Sequence, residues 1–201
     1  MNEVDRLTEL FTQFPGIGPR QARRFVFFLL RQNAGYRAML VRAIQDVATT
    51  VKQCSLCLRY APLHVKEPLC DICADSHRDA TQLMLVEKDT DVEQMEHSGA
   101  YNGRYFILGG SLSLTGKKHT IREKELLQHL QKHGASLSEI ILALSATPDG
   151  EYTTDYLVTK LKDESLASSA QITTLGRGLS TGSELEYADT NTLVQALKNR
   201  A

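Results

Sequence analysis

All four cysteines of this 201-residue chain fall in one stretch, CSLCLRYAPLHVKEPLCDIC, from Cys54 to Cys73. Cys54 and Cys57 are two residues apart, as are Cys70 and Cys73, and twelve residues separate the pairs. Each CxxC knuckle can turn two thiolates toward one point, and two knuckles together complete a tetrahedron around one ion. Four sulfur ligands leave no open position for water or substrate, so the expected role is structural, with one Zn2+ per chain. Three other readings use the same letters: two disulfides suit an oxidising compartment, a redox CxxC needs only one pair, and an iron–sulfur cluster also takes four thiolates. His64 and His77 lie close enough in sequence to replace a cysteine in a mixed site. As loop histidines, both are expected at the surface.

The opening MNEVDRLTEL carries Glu3, Asp5, Arg6 and Glu9 and no apolar core of a leader, and no later stretch approaches the roughly 18 uninterrupted apolar residues of a membrane span. The expectation is a soluble protein of the cytoplasm with no membrane partner. That compartment is reducing, which favours a metal over disulfides. A hydrophobic fraction of 42% is enough to build buried cores. Net charge is −1, yet residues 11–60 carry eight basic side chains (Arg20, Arg23, Arg24, Arg31, Arg37, Arg42, Lys52, Arg59) against Asp46 alone. That local excess of +7 leaves −8 for the rest, so an anionic partner meets the N-terminal third first.

Along the chain, Val4, Leu7, Leu10, Phe11 and Phe14 recur at a helical period, and PGIGP then makes a tight turn into a second helix carrying Ala22, Phe25, Val26, Leu29 and Leu30. A third helix, roughly Arg37 to Lys52, leads into the cysteines. Beyond Cys73, apolar strand candidates (ATQLMLVEKD, RYFILGG, LSEIILALS, AQITTLG) alternate with helix candidates (DTDVEQMEHSG, IREKELLQHLQKHG, EYTTDYLVTKLKDES), which predicts a parallel α/β sheet over about residues 80–178. A last helix is expected in DTNTLVQALKNR, with Asp189 near its start. The fold class expected is α+β and multidomain, divided at 1–53, 54–77, 78–175 and 176–201.

Two further constellations carry chemistry. FPGIGPRQARR sets a GxG turn before a helix that begins with arginines, so free backbone N–H groups, the helix dipole and formal charge all face one turn. It resembles the helix-hairpin-helix motif, which grips nucleic-acid backbone without reading sequence; the resemblance implies DNA-binding roles for Gly16, Ile17, Gly18, Arg20, Arg23 and Arg24, with Ala22 and Phe25 in the hairpin's packed core. Glu87 ends the strand LMLVE, followed by Asp89 and Asp91, while Asp149 and Glu151 follow the third strand; open parallel sheets place functional residues at such carboxyl ends. This arrangement resembles the Toprim fold, whose carboxylates hold Mg2+ beside a phosphodiester in its catalytic members. Those members carry a DxD after the later strand, where this chain has Asp149-Gly150-Glu151; its DTD at Asp89 and Asp91 follows the first strand instead.

The order of these pieces, hairpin, four-cysteine finger, Toprim-like sheet and a terminal LGRGLSTGSELEYADTNTL, resembles the RecR family of bacterial recombination proteins over nearly the whole chain. The resemblance implies a non-enzymatic mediator with no catalytic residues: a homo-oligomeric ring of two or four subunits that clamps single- and double-stranded DNA. With RecO, RecF or both, such proteins help load RecA onto strands covered by single-strand-binding protein. It assigns DNA contact to Arg20 and Arg24 and a partner-binding acidic loop to Glu87, Asp89, Asp91, Asp149 and Glu151. The chain departs from the family pattern in GGSLSLTGKKHT, SATPDGEYT and RGLSTG. It has no P-loop, so ATP hydrolysis is not expected. The competing expectation is a metal-dependent nuclease or topoisomerase-like enzyme using Glu87, Asp149 and Glu151.

Overall fold

The computed structural model describes residues 2–63, 68–116, 120–163, 169–176, 178, 179, 182, 184–188 and 190–198. The chain divides into two compact units, residues 1–52 and 53–201. The first is helical: α1 (Glu3–Thr12), α2 (Pro19–Arg31) and α3 (Ala34–Thr50). Asn2 starts α1 by accepting from the Asp5 N–H at 2.8 Å, and Asn33 starts α3 by accepting from the Tyr36 N–H at 2.8 Å, so α3 begins earlier than its apolar period suggests. Between α1 and α2, Gly16 has φ +77°, a left-handed turn conformation that glycine adopts without strain. Phe11 meets Phe25 edge-on with ring centroids 6.0 Å apart, and Ala22 and Val26 are buried.

Short strand β1 (Val51–Gln53) spans the boundary in sequence; β2 (Tyr60–Pro62) follows the first knuckle, and α4 (Asp71–Ala74) carries the second. The second unit continues with β3 (Asp79–Val86), α5 (Asp89–Ser98), β4 (Gly103–Ile107), α6 (Glu123–His133), β5 (Glu139–Ala143), α7 (Pro148–Asp163), β6 (Gln171–Thr174) and α8 (Thr190–Lys198). The predicted strands therefore form one parallel sheet, ordered β4-β3-β5-β6. Successive strand side chains face opposite ways. Leu83 and Leu85 join Phe106, Leu126, Leu130, Ile140 and Leu157 on one face, while Met84 and Val86 join Tyr105, Ile107, Val92 and the four cysteines on the other. The finger thus covers one sheet face as a crossover helix would, which makes the metal loop part of the core.

Asp89 and Asp91 stand in the first turn of α5, as the helix candidate beginning at Asp89 expects, while α7 starts three residues before its candidate, so that Asp149 joins Glu151 in its first turn. Carboxylates are favoured there by the helix dipole, and Pro148 suits a first helical position. His64 and Asp189 lie outside the described residues. No described helix is long and apolar enough to cross a membrane.

Candidate functional site

The four cysteine sulfurs all lie within 4.8 Å of one another, and all four residues are buried, unoxidised thiols. Cys57 Sγ and Cys70 Sγ stand 3.6 Å apart. An ion with metal–sulfur bonds of about 2.3 Å requires a tetrahedron edge of about 3.8 Å, so the donor set fits a thiolate-bound metal. The local backbone is built for it. Leu58 takes φ +62° to close the first knuckle, the Cys54 N–H donates to Arg59 O at 2.8 Å, and the Cys70 N–H donates to Cys54 Sγ at 3.4 Å. The crowded thiols share protons unequally: the Cys54 sulfur, receiving bonds from Cys57 and then Cys70 and Cys73, is held far below the ordinary thiol range, while Cys73 is pushed far above it by its bonds with Cys54, Cys57 and Cys70. A bound cation would replace those shared protons. His77 is not part of the set; its ring, 94% exposed, pairs with Asp75 at 3.0 Å.

Polar ties, none of them evident from local sequence, fasten the finger to the sheet. The Ile107 N–H donates to Cys57 O at 2.9 Å, and Arg122 Nη1 donates to both Leu58 O at 3.2 Å and Ile107 O at 3.1 Å. Asp89 accepts from the Tyr60 N–H at 2.7 Å. Asp89 is therefore committed to holding β2, and Asp91 accepts from the Lys88 N–H at 2.8 Å as a helix cap.

At the carboxyl ends of β3 and β5, where the strand order reverses and α/β sheets open a crevice, an open groove of about 450 Å³ is lined by Glu87, Lys88, Ser145, Thr147 and Asp149. Glu87 is only 7% exposed, and its Oε1 accepts from the Ser145 N–H at 2.9 Å and the Ser145 hydroxyl at 2.7 Å. The close packing depends on Gly150, since a Cβ there would lie 2.1 Å from Ser145 O. Asp149 accepts from the Leu114 N–H at 3.0 Å. Glu151 lines a different pocket, beside Thr154, Leu175 and Gln195. Among the described residues, the cysteines form the one group of three or more metal-ligating side chains whose donor atoms converge.

In the hairpin, Arg20, Arg23 and Arg24 are all exposed. Arg23 reaches back to Asp5 at 3.2 Å, whereas Arg24 donates to the neutral Gln21 side chain at 3.3 Å. Gly18 caps α2 with no side-chain bond, so the first N–H groups of the helix remain open toward the turn.

Residues 4–48 match the family model described as RecR, helix-hairpin-helix, residues 81–170 the Toprim domain, and residues 178–201 RecR, C-terminal. Proteins named Recombination protein RecR are similar across the whole length. The one from Cereibacter sphaeroides (strain ATCC 17025) is 36% identical over 98% of this chain and 96% of its own. Those from Ureaplasma urealyticum serovar 10 and Caulobacter sp. (strain K31) are 34% and 38% identical over 98% of this chain and 95% of theirs. Similarity at this level, carried through hairpin, finger, sheet and C-terminal segment alike, places the chain in the RecR family.

Proposed function

We propose that this protein is a DNA-binding recombination mediator, a homo-oligomeric clamp that works without cleaving its DNA. The observation that carries the reading is the hairpin. Arg20 and Arg24 stand exposed beside an uncapped helix start and make no ion pair among the described residues, so their charge is available to backbone phosphate. Such contacts are independent of sequence and sensitive to salt. The segments divide the labour as 1–53 for DNA, 54–77 for zinc, 78–175 for docking and 176–201 for assembly.

Zinc is the metal that four buried thiolates with this spacing select, and its task here is to hold the finger in the sheet's core. The acidic groove of Glu87 and Asp149 is a docking surface for a protein partner, RecO or RecF, in the cytoplasmic loading of RecA onto strands covered by single-strand-binding protein. The competing enzymatic reading needs converging carboxylates. Asp89, Asp91 and Asp149 each accept a backbone N–H, and Glu151 lines a separate pocket, which favours docking over Mg2+ chemistry. Fluorescence anisotropy with a gapped duplex tests the clamp: the double variant Arg20→Ala/Arg24→Ala is expected to bind weakly while folding normally, and unchanged affinity at moderate salt overturns the hairpin's role.

A further inference from the structure

A second site of charge lies far from the acidic groove, at the amino ends of the strands. A cavity of about 60 Å³ opens there between the starts of β3 and β4 and the last turn of α6, its wall part apolar (Leu56, Leu83, Leu137) and part polar (Arg104, His129, His133). It is about four times the ~15 Å³ that one water requires. Arg104 Nε is buried and has no hydrogen-bond partner among the described residues, and Arg104 enters none of their ion pairs. A buried guanidinium N–H left unpaired is costly and calls for an acceptor.

The surroundings supply basic groups and no free carboxylate inside the cavity. The rings of His129 and His133 lie 5.0 Å apart, one helical turn from each other. Glu139, which meets Gln82 of the cavity wall, accepts from Gln82 Nε2 at 3.2 Å and from the Thr173 hydroxyl at 2.8 Å. Burial first, and then the neighbouring His133 and Arg104, push the His129 imidazole down to about 4 against a backbone hydrogen bond to Leu56 that raises it, so the ring stays neutral near pH 7. Glu125 and Lys132 line the neighbouring open groove between α6 and Ser55–Leu58, one of each sign. His133 and Ser136 are exposed at the rim, so the cavity has an entrance.

We propose that this cavity binds a phosphate group, with Arg104 Nε–H as its inner donor and His133 beside it at the rim. Donors arrive from a strand and from a helix, and such divergent directions suit a tetrahedral acceptor better than a planar carboxylate. Inorganic phosphate and the terminal phosphate of a DNA end share this chemistry.

The test uses the zinc-loaded full chain in a phosphate-free buffer. The Arg104 Nε–H resonance, assigned by its disappearance in Arg104→Gln, is followed by 15N NMR while inorganic phosphate is added. A saturable shift of that resonance and of the His133 ring signals is expected, the first abolished in His133→Ala and the second in Arg104→Gln. A shift no larger than sodium chloride produces at equal ionic strength overturns the site. A second arm compares 5′-phosphorylated with 5′-hydroxyl oligonucleotide: a preference for the phosphorylated end that Arg104→Gln removes names the DNA end as the source, and equal binding beside a saturable phosphate shift names the free ion.

Discussion

At the scale of single residues, the three hairpin arginines are not equivalent. Arg23 is held by Asp5 at 3.2 Å, while Arg20 and Arg24 have no carboxylate partner among the described residues. The Arg20→Ala/Arg24→Ala double variant is therefore expected to lower the salt dependence of DNA binding by a log–log slope of about 2, one phosphate contact each. Arg23→Ala, which leaves both of those contacts in place, should change that slope by less; anisotropy titrations over a range of salt concentrations measure both. Gly150→Ala is expected to destabilise the fold by about 1–3 kcal/mol in chemical denaturation, because its Cβ would press on Ser145 O at 2.1 Å and displace the donors of Glu87. His129 gives a pH signature. Its folded-state value, down at about 4, lies below the ~6.5 of an unfolded histidine, so the unfolded chain binds the extra proton between them. Stability is retained above pH ~6.5 and falls toward pH ~4 by up to about 3 kcal/mol, a slope that His129→Gln should flatten in phosphate-free denaturation curves.

At the scale of elements, the finger and the sheet share one core, so removing the metal is felt beyond the knuckles. Chelation or Cys57→Ser is expected to release one zinc per chain, measured by mass spectrometry of the metal, and to shift the methyl signals of Met84, Val86 and Ile107, which pack with the cysteines. Unmoved methyl signals in the metal-free protein would mean that the finger folds apart from the sheet. Much of this architecture was legible in the sequence, for identifiable reasons. CxxC spacing encodes a ligand geometry directly, and the unbroken apolar run LMLV followed by Glu87 marks a buried strand that ends at a polar rim. What was not legible is non-local. Arg122 reaches Leu58 O across 64 positions of sequence, and Asp89 reaches the Tyr60 N–H across 29, and neither bond leaves a local period. The helix candidate began at Glu151, and the earlier start that brings in Asp149 had one signal, Pro148, suited to a first turn. The family resemblance grouped five acids as one acidic loop; the fold gathers Glu87 and Asp149 in one groove and commits Asp89 to the finger.

At the scale of the whole molecule, the clamp reading joins a basic N-terminal third to an acidic remainder and requires subunits to assemble. The outward side chains of α3 suit that requirement: Met39, Ile44 and Val47 are each about 60% exposed, an apolar stripe that a lone subunit leaves in water. Ile44→Glu/Val47→Glu is expected to reduce the assembly to a smaller species in light scattering after gel filtration, and an unchanged mass would remove α3 from the interface. The central claim is that this protein grips DNA without cutting it. The most direct measurement incubates end-labelled gapped DNA with the zinc-loaded protein and Mg2+ or Mn2+, then runs the same samples on native and denaturing gels. The account predicts DNA that is shifted on the native gel and intact on the denaturing one; metal-dependent cleavage that Glu87→Ala abolishes would contradict it and make the acidic groove an active site.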